Sequence, residues 1–345
     1  MIRSLEIENF RCFKSLVIPD IRRFTILTGK NASGKTALLE ALFIAAGGSA
    51  EIYMRTNAWR GQDVVSFTTD SLLPLFEDFF HKFDPTGGLR VCFRDSYGEE
   101  REVRISVKPR QVISLPFESK VSDAVVSPEF RFTWKSPKGE FESPVEISKD
   151  GLRISQPRET YPMIYINVIT NNLARETATR WSALSERNAE ESITTAVAKI
   201  FPEVKGLSVL SPGGVPSIYA EVKGLNRKIP AGLLSAGVNK LIVILVAIGS
   251  SPRGVVLIDE IENGLYYKID HPLWTAITDF AIQNDTQLFV TTHSKEFLEA
   301  VAPLANWDDK SYTLLRMERE NGEARAEDFG GKEFAGAVER GFEVR

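Results

Sequence analysis

An eight-residue stretch near the amino terminus, Gly29 to Thr36, constrains this chain more than any other feature. It reads GKNASGKT and fits the pattern GxxxxGK[ST] without a mismatch. In this pattern the glycines let backbone N–H groups curl around a β-phosphate, Lys35 offers an ammonium group to phosphate oxygens, and Thr36 supplies a hydroxyl to Mg²⁺. A β-prone stretch, Phe24 to Leu27, precedes it, and a helix-prone stretch, Lys35 to Ala46, follows. The sequence therefore predicts a phosphate-binding loop.

The residues expected to bind a phosphate chain are the second half of this loop and the start of the helix, whose positive end adds to the attraction. They are Asn31, Ala32, Ser33, Gly34, Lys35, Thr36 and Ala37. The alternative is a Gly-rich turn before an ordinary helix. The flanking strand and helix favour the phosphate-binding loop.

A second motif consists of four apolar residues, 255–258, followed by Asp259 and Glu260. Such an apolar run is typical of a strand that is buried on both faces. Asp259 would hold Mg²⁺ through its water shell, and Glu260 would polarise the water that attacks a γ-phosphate. Acidic pairs are common after apolar strands, so this interpretation depends on the phosphate-binding loop upstream.

A third motif is a predicted strand over Thr286–Thr292 that ends in the sequence Thr-Thr-His-Ser. His293 follows Glu260 by 33 residues, with a predicted helix between them. The two strands can therefore lie side by side, with their carboxyl ends at one crevice. His293 would then sense or position the γ-phosphate. A purely structural histidine is the alternative.

The segment from Leu234 to Lys240 precedes the longest apolar run of the chain. Ser235 is a predicted helix cap, and the small residues after it leave backbone N–H groups open to an anion. In isolation, the residues favour a capped core helix.

Composition excludes several classes of protein. The chain has 345 residues, 43% of them hydrophobic, and a formal net charge of −4, so no global basic field indicates nucleic acid. Its two cysteines, 80 positions apart, predict neither a disulfide framework nor a zinc site. The longest apolar run, Leu241 to Ile248, cannot span a bilayer, and no secretory signal is recognisable. We expect a cytoplasmic protein.

The predicted elements indicate an α/β protein. Residues 1–50 read as three strands, a loop and a helix, and the last third alternates helix and strand. Between them we predict a helix over Ser71–Phe83, then a mostly antiparallel β region and helices over 171–200 broken near Asn188. We also predict an edge strand over Tyr312–Met317. One domain would thus comprise 1–50 and 205–345, with 51–204 as a β-rich and then helical insertion.

Five stretches, in this order, resemble the ATP-binding-cassette class of ATPases, and more narrowly the heads of the RecF, structural-maintenance-of-chromosomes (SMC) and OLD (overcoming lysogenization defect) families. They are IENFRCFKSL, TGKNASGKTALLEAL, LLSAGVNKL, VVLIDEIENGLYY and FVTTHSKEFL. The match is closest to the OLD type, in which DEIENGL and TTHS recur. The resemblance implies a P-loop NTPase of the ABC-ATPase head type, with a mixed sheet and an antiparallel β subdomain, that hydrolyses ATP with Mg²⁺.

The resemblance also implies a homodimer, or a higher homo-oligomer, that closes around ATP. Ser235 and Gly237 of one subunit would then cap the γ-phosphate bound by the other. Arg11 matches a position near the nucleotide, and Asn263 to Leu265 match the segment that crosses the dimer interface. The catalytic residues would be Lys35, Glu260 and His293, and the metal would be held by Thr36 and Asp259.

The chain departs from the OLD pattern, because 52 residues follow His293 and they contain no acidic DxD cluster. We therefore expect an OLD-type head without a Toprim nuclease domain. Its predicted function is an ATP-driven switch for a separate effector, a nuclease or toxin, in prokaryotic antiviral defence. The alternative is a RecF-like DNA-binding repair ATPase; a transport ATPase is disfavoured by the β-rich insertion. For the glutamine that normally helps to hold Mg²⁺, Gln62 is the only candidate we identify.

Overall fold

The computed structural model of the chain describes residues 1–58, 76–108, 129–148, 151–154, 160–167, 173–320 and 322–341. The strands are β1 (Ile2–Phe10), β2 (Phe13–Ile18), β3 (Phe24–Thr28), β4 (Leu89–Asp95), β5 (Glu100–Lys108), β6 (Glu129–Ser136), β7 (Gly139–Ser148), β8 (Gly151–Ile154), β9 (Met163–Ile166), β10 (Val204–Leu210), β11 (Ser217–Val222), β12 (Ile229–Pro230), β13 (Val255–Ile258), β14 (Gln287–Thr291), β15 (Tyr312–Glu320) and β16 (Glu323–Gly330). The helices are α1 (Lys35–Ala46), α2 (Glu51–Ala58), α3 (Leu173–Ser185), α4 (Glu190–Ile200), α5 (Ala236–Ser250), α6 (Asp270–Gln283), α7 (Lys295–Trp307) and α8 (Gly331–Glu339).

A six-stranded mixed sheet carries the predicted motifs. Its order is β16-β15-β3-β14-β13-β9, with neighbouring strands parallel except at the β15–β16 pair. Every residue of β3, β13 and β14 is buried, as expected for strands covered on both faces. The carboxyl ends of these three strands therefore lie at one edge of the sheet. The phosphate-binding loop begins there, and the polar residues of the two other motifs follow their strands at the same edge. The prediction of an edge strand over Tyr312–Met317 was wrong, because β16 pairs with the outer side of β15.

The antiparallel β subdomain is a seven-stranded sheet of order β2-β1-β4-β5-β6-β7-β8, and a third, smaller sheet has the order β10-β11-β12. Hydrogen bonding crosses the predicted division of the chain. Strand β1 pairs with β4, and β9 pairs with β13, so residues of 51–204 belong to both large sheets. The division into 1–50 with 205–345 and an insertion over 51–204 remains a prediction about the sequence.

Helix α1 lies between the two large sheets. Eleven of its 12 residues are buried, and its side chains pack with residues of both sheets. A helix that is apolar on every side must be covered on every side, which explains this central position. The start of α1 is consequently held in place from both sides.

Helix α5 occupies the opposite face of the six-stranded sheet, where α3, α4 and α6 pack against it, and α7 packs against α6. Its buried residues continue from Leu241 to Ile248 without interruption. Within the described residues, no helix is both long enough and apolar enough to cross a bilayer.

The predicted helix over Ser71–Phe83 lies partly outside the described residues. From residue 78 onward that prediction was wrong, because the chain forms turns and a short 3₁₀ turn at His81–Phe83. Phe80 forms a β-bridge with Phe10, and Lys82 and Phe83 have left-handed φ angles of 55° and 59°. Pairing with the end of β1 thus overrides the local helical preference.

We predict that Ile244→Ala, in the middle of α5, lowers the free energy of unfolding by about 2–5 kcal/mol, because the Ile244 side chain is fully buried and its truncation leaves a cavity. Urea unfolding followed by circular dichroism measures the change. The matched control is Ile282→Ala on α6, where the side chain is 52% exposed and we expect almost no effect. Equal losses for the two variants would contradict this packing.

Candidate functional site

Two glycines shape the phosphate-binding loop between β3 and α1. Gly29 and Gly34 have φ angles of 133° and 112°, which L side chains rarely adopt. A Cβ at Gly29 would lie 2.1 Å from the Met317 carbonyl oxygen, and one at Gly34 would lie 2.9 Å from Cys12 Sγ. Strand β15 and the β1–β2 turn therefore press on the loop, and only glycine fits at either position.

The loop exposes unused hydrogen-bonding capacity at the start of α1. Gly34 is the N-cap residue and no side chain caps the helix, so first-turn N–H groups remain available to an anion. Ser33 Oγ is buried and has no hydrogen-bond partner among the described residues. The Lys35 ammonium donates to the carbonyl oxygens of Gly29 and Lys30, at 2.8 and 3.0 Å, and so lies across the loop.

A hydroxyl and a carboxylate meet beside this loop. Thr36 Oγ1 donates to the two Asp259 carboxylate oxygens at 3.2 and 3.1 Å, and Thr291 Oγ1 donates to Asp259 Oδ1 at 2.6 Å. Asp259 is 7% exposed. Oxygen donors of this kind suit a hard divalent cation.

Glu260 adopts a left-handed φ of 45°, which is unusual for a residue that is not glycine. Its N–H donates to Thr291 Oγ1 at 2.8 Å, and its carbonyl accepts from Lys240 Nζ and the Asn263 N–H, both at 3.0 Å. Strained backbone of this type persists only where its surroundings determine it, and it clusters at functional sites. The side chain of Glu260 is thereby directed to the same pocket as Asp259.

His293 follows β14 at the same edge of the sheet. Its N–H donates to Glu262 Oε1 at 2.6 Å. Burial and the nearby Lys35 ammonium lower the pKa of the His293 imidazole, although three carboxylates oppose this change. Glu262 was not among the predicted site residues; it is the second glutamate of the sequence DEIE, two residues after Glu260.

One pocket, about 780 Å³ in volume, collects most of the predicted site residues. Its lining includes Arg11, Asn31, Ala32, Ser33, Gly34, Lys35, Thr36, Ala37, Asp259, Glu260 and His293. Ser235 and Gly237 lie at the start of α5 and are not in that lining. Ser235 Oγ accepts from the Val238 N–H at 3.4 Å, which confirms the predicted helix cap. Gln62 lies outside the described residues.

Arg11 reaches this pocket from the β1–β2 turn with a φ of 49°. Its guanidinium forms an ion pair with Glu40 of α1, at 3.0 Å, and lies 4.3 Å from the centre of the Phe79 ring. These contacts attach the turn to the helix that begins at the phosphate-binding loop.

One wall of the pocket consists of residues that were not predicted to belong to the site. They are Asp78, Phe80, His81, Lys82, Phe83, Arg319 and Gly322. His81 Nδ1 lies 2.9 Å from the Arg11 carbonyl oxygen, while the Phe83 ring is 63% exposed. Aromatic rings and guanidinium groups are the side chains on which nucleobases stack. No motif marks residues 78–83, because their backbone pairing with Phe10 and Arg11, at the end of β1, is what brings them to the loop.

The family comparison agrees with this geometry. The profile of the family described as "AAA domain, putative AbiEii toxin, Type IV TA system" matches residues 99–299, more than half of the chain. The chain belongs to this family. A second profile, "AAA ATPase domain", matches residues 1–95. The protein is therefore an enzyme that hydrolyses ATP, and the nucleotide is its substrate.

Two curated proteins are similar in sequence. An "ATP/GTP phosphatase" of Helicobacter pylori is 23% identical in an alignment 330 residues long, which covers 87% of this chain and 87% of that protein. The DNA replication and repair protein RecF of Thermomicrobium roseum is 54% identical over 48 residues, which are 13% of this chain and 12% of RecF.

Solved structures share the fold. An Smc head domain with an extended coiled coil, bound to the C-terminal domain of ScpA derived from Pyrococcus furiosus, aligns with a TM-score of 0.52 over 98% of each chain, at 12% identity. A SmcHead bound to the C-winged helix domain of ScpA has a TM-score of 0.50 at 15% identity, over 95% of this chain and 98% of that one. The predicted head-type α/β fold is confirmed.

We predict that ATP affinity falls as the pH rises above about 8. Burial lowers the pKa of Lys35 to about 8, against the opposing pull of Asp259, Glu262 and Glu260. Below that pH the ammonium is charged and attracts phosphate; above it the amine is neutral and the attraction is lost. Binding of a fluorescent ATP analogue, measured from about pH 7 to pH 9.5, tests this expectation.

The matched control for the pH experiment is Lys35→Arg, since a guanidinium stays charged throughout the range. We expect its affinity, whatever its absolute value, to change little between neutral pH and the upper limit. If the affinity for the ATP analogue falls equally with pH in the wild type and in Lys35→Arg, the titrating group is not Lys35.

Proposed function

We propose that this ATPase is a switch of the OLD type, which closes as a homodimer around Mg²⁺-ATP and controls a separate effector, a nuclease or toxin, in prokaryotic antiviral defence. The observation that carries the proposal is the convergence of Lys35, Asp259 and Glu260 on one pocket. Lys35 and the open first turn of α1 hold the phosphate chain. Glu260 receives a proton from the attacking water, and His293 positions the terminal phosphate.

The residues beside the loop fit Mg²⁺. The Thr36 hydroxyl and the Asp259 carboxylate are hard oxygen donors within 3.2 Å of each other, and Thr291 orients the carboxylate. When bound, Mg²⁺ neutralises charge that develops on the β- and γ-phosphate oxygens. The direct hydrogen bond from Thr36 to Asp259 would then give way to contacts with the ion.

Exposed apolar side chains near the start of α5 support the dimer. Leu233 is 73% exposed, and Tyr266 and Tyr267 are each 56% exposed. The Gly237 backbone is buried against the Leu265 side chain, so the Leu234–Lys240 segment and the segment after Glu260 form one surface. Large exposed apolar groups mark sites of association. We infer that Ser235 and Gly237 meet the γ-phosphate of the partner subunit across this surface.

The effector and the defence role are supported by sequence phrases and by the description of the family. The DEIENGL and TTHS phrases support the OLD type, and the description of the matching family names a toxin of a toxin–antitoxin system. Expression of the chain together with its neighbouring genes, followed by phage challenge, tests the role. Protection that is lost with Lys35→Ala supports it; protection unchanged by that variant contradicts it.

We predict that Glu260→Gln slows ATP hydrolysis by about a hundredfold and accumulates a dimer in Mg²⁺-ATP, because ATP remains bound while water is not activated. Phosphate release and light scattering after size exclusion measure the two effects. Glu299→Gln, an exposed residue of α7, is the matched control and should behave as wild type. A variant that stays monomeric at every ATP concentration would count against closure around ATP.

Mixing two inactive variants tests whether sites are shared between subunits. Lys35→Ala disables the phosphate-binding loop, and Ser235→Arg blocks the start of α5. A mixed dimer would contain one intact site, assembled from the two unaffected surfaces, so random pairing restores about a quarter of wild-type activity. No recovery, with mixed dimers shown to form, would mean that both residues act within one subunit.

RecF-like DNA binding is the second candidate, and the short stretch of similarity to RecF favours it. Exposed cations surround the small β10–β12 sheet. They are Lys199, Lys205, Lys223, Arg227 and Lys228. Fluorescence anisotropy with duplex DNA, at two salt concentrations, separates the candidates. Salt-sensitive binding that strengthens with ATP would favour repair over a toxin or nuclease switch.

A further inference from the structure

Glu262 lies just behind the catalytic edge of the sheet, and its carboxylate joins two motifs. It follows Glu260 in the turn after β13, and its Oε1 accepts the N–H of His293 at 2.6 Å, after the end of β14. Glu262 does not line the nucleotide pocket, whereas Glu260 and His293 do. Any effect of Glu262 on ATP therefore passes through another residue.

The backbone around His293 is held by three successive bonds. The Thr292 N–H donates to the Leu27 carbonyl at 3.0 Å, and the Ser294 N–H donates to Thr292 Oγ1 at 3.1 Å. Between them, the His293 N–H is directed by Glu262. Of the three hydrogen-bond acceptors, only Glu262 is a charged side chain. Hydrogen bonds to a carboxylate are shorter and stronger than those between neutral groups.

The position of Glu262 is itself well determined. Ile261 N–H donates to the Thr291 carbonyl at 3.0 Å, and the Leu265 N–H donates to the Glu262 carbonyl at 3.0 Å. Helix α7 begins directly after His293, with Ser294 Oγ accepting the Phe297 N–H at 3.0 Å. Glu262 therefore ties one ordered turn to another at the residue whose imidazole enters the pocket.

The second carboxylate oxygen of Glu262 indicates that this residue does more than hold the backbone of His293. Glu262 Oε2 is buried and has no hydrogen-bond partner among the described residues. Burying a carboxylate oxygen without a partner costs free energy. The carboxylate charge acts on Lys35, Lys240 and His293, so the group lies within the field of the nucleotide site.

We propose that Glu262 is a positioning residue, which holds the His293 backbone so that the imidazole meets the terminal phosphate of ATP. This inference rests on the role of His293 in the proposed function. Without the Glu262 carboxylate, the turn between β14 and α7 loses its central bond, and the imidazole no longer has a single orientation. Lys35 and Thr36 keep their hydrogen bonds to the loop and to Asp259, so ATP binding persists while turnover falls.

The test uses Glu262→Ala and Glu262→Gln in the full chain, with steady-state kinetics for Mg²⁺-ATP. We expect the alanine variant to lower kcat about tenfold, with KM for ATP within about twofold of wild type. The glutamine variant keeps an oxygen that accepts the His293 N–H, so it should retain most of the activity. Glu299→Ala, an exposed carboxylate on α7, is the matched control.

Glu262→Asp keeps the charge but shortens the side chain, so it should lose activity as the alanine variant does. If the alanine variant fails to fold, the aspartate variant tests the proposal in its place. Full activity of the aspartate variant, or a rise in KM alone, would overturn the proposal.

A double-mutant cycle with His293→Ala identifies the route of the effect. If Glu262 acts through His293, the Glu262→Ala/His293→Ala protein is no slower than His293→Ala alone. If the double variant is slower than His293→Ala by the same factor that Glu262→Ala alone causes, the proposal is overturned and the proposed function still stands. Wild-type activity in His293→Ala would overturn both this inference and the role of His293, whereas the absence of ATP hydrolysis in wild type would remove the proposed function itself.

Discussion

The burial of α1 between two sheets is the constraint on which the rest of the structure depends. A phosphate-binding loop works only if its backbone N–H groups are held in place before the ligand arrives, because ordering them on binding would cost conformational entropy. Here the helix that follows the loop is covered on all sides, and β15 and the β1–β2 turn approach the loop at Gly29 and Gly34. The β1–β2 turn of the antiparallel subdomain thereby forms part of the cradle.

Charge at the site is arranged around this rigid loop. The carboxylates of Asp259, Glu260 and Glu262 face the ammonium groups of Lys35 and Lys240 in a region of low exposure. Burial lowers the pKa of both lysines, while the carboxylates act in the opposite direction. A triphosphate brings further negative charge, so it stabilises the protonated lysine. Nucleotide binding and lysine protonation are consequently linked.

Much of the site was predictable because its motifs are local. The loop, the acidic pair and the histidine each follow a strand in the sequence, and parallel strands bring their carboxyl ends together. Glu262 was harder to identify, since its role depends on a bond to a backbone N–H 31 residues away. The wall at His81 to Phe83 could not be predicted, because the Phe10–Phe80 pairing that creates it leaves no periodic signal.

The chain by itself determined the phosphate-binding loop, the buried strands β3 and β13, and helix α1, since these depend on glycine conformation, apolar runs and helical preference within a few residues. Only the tertiary structure decided that β15 lies inside the sheet, that residues 78–83 abandon a helical pattern, and that Glu262 meets His293. Each of these outcomes comes from contacts between segments distant in sequence. Such pairings compete with local preference through burial and hydrogen bonding, and those energies exist only once the partner segment is in place.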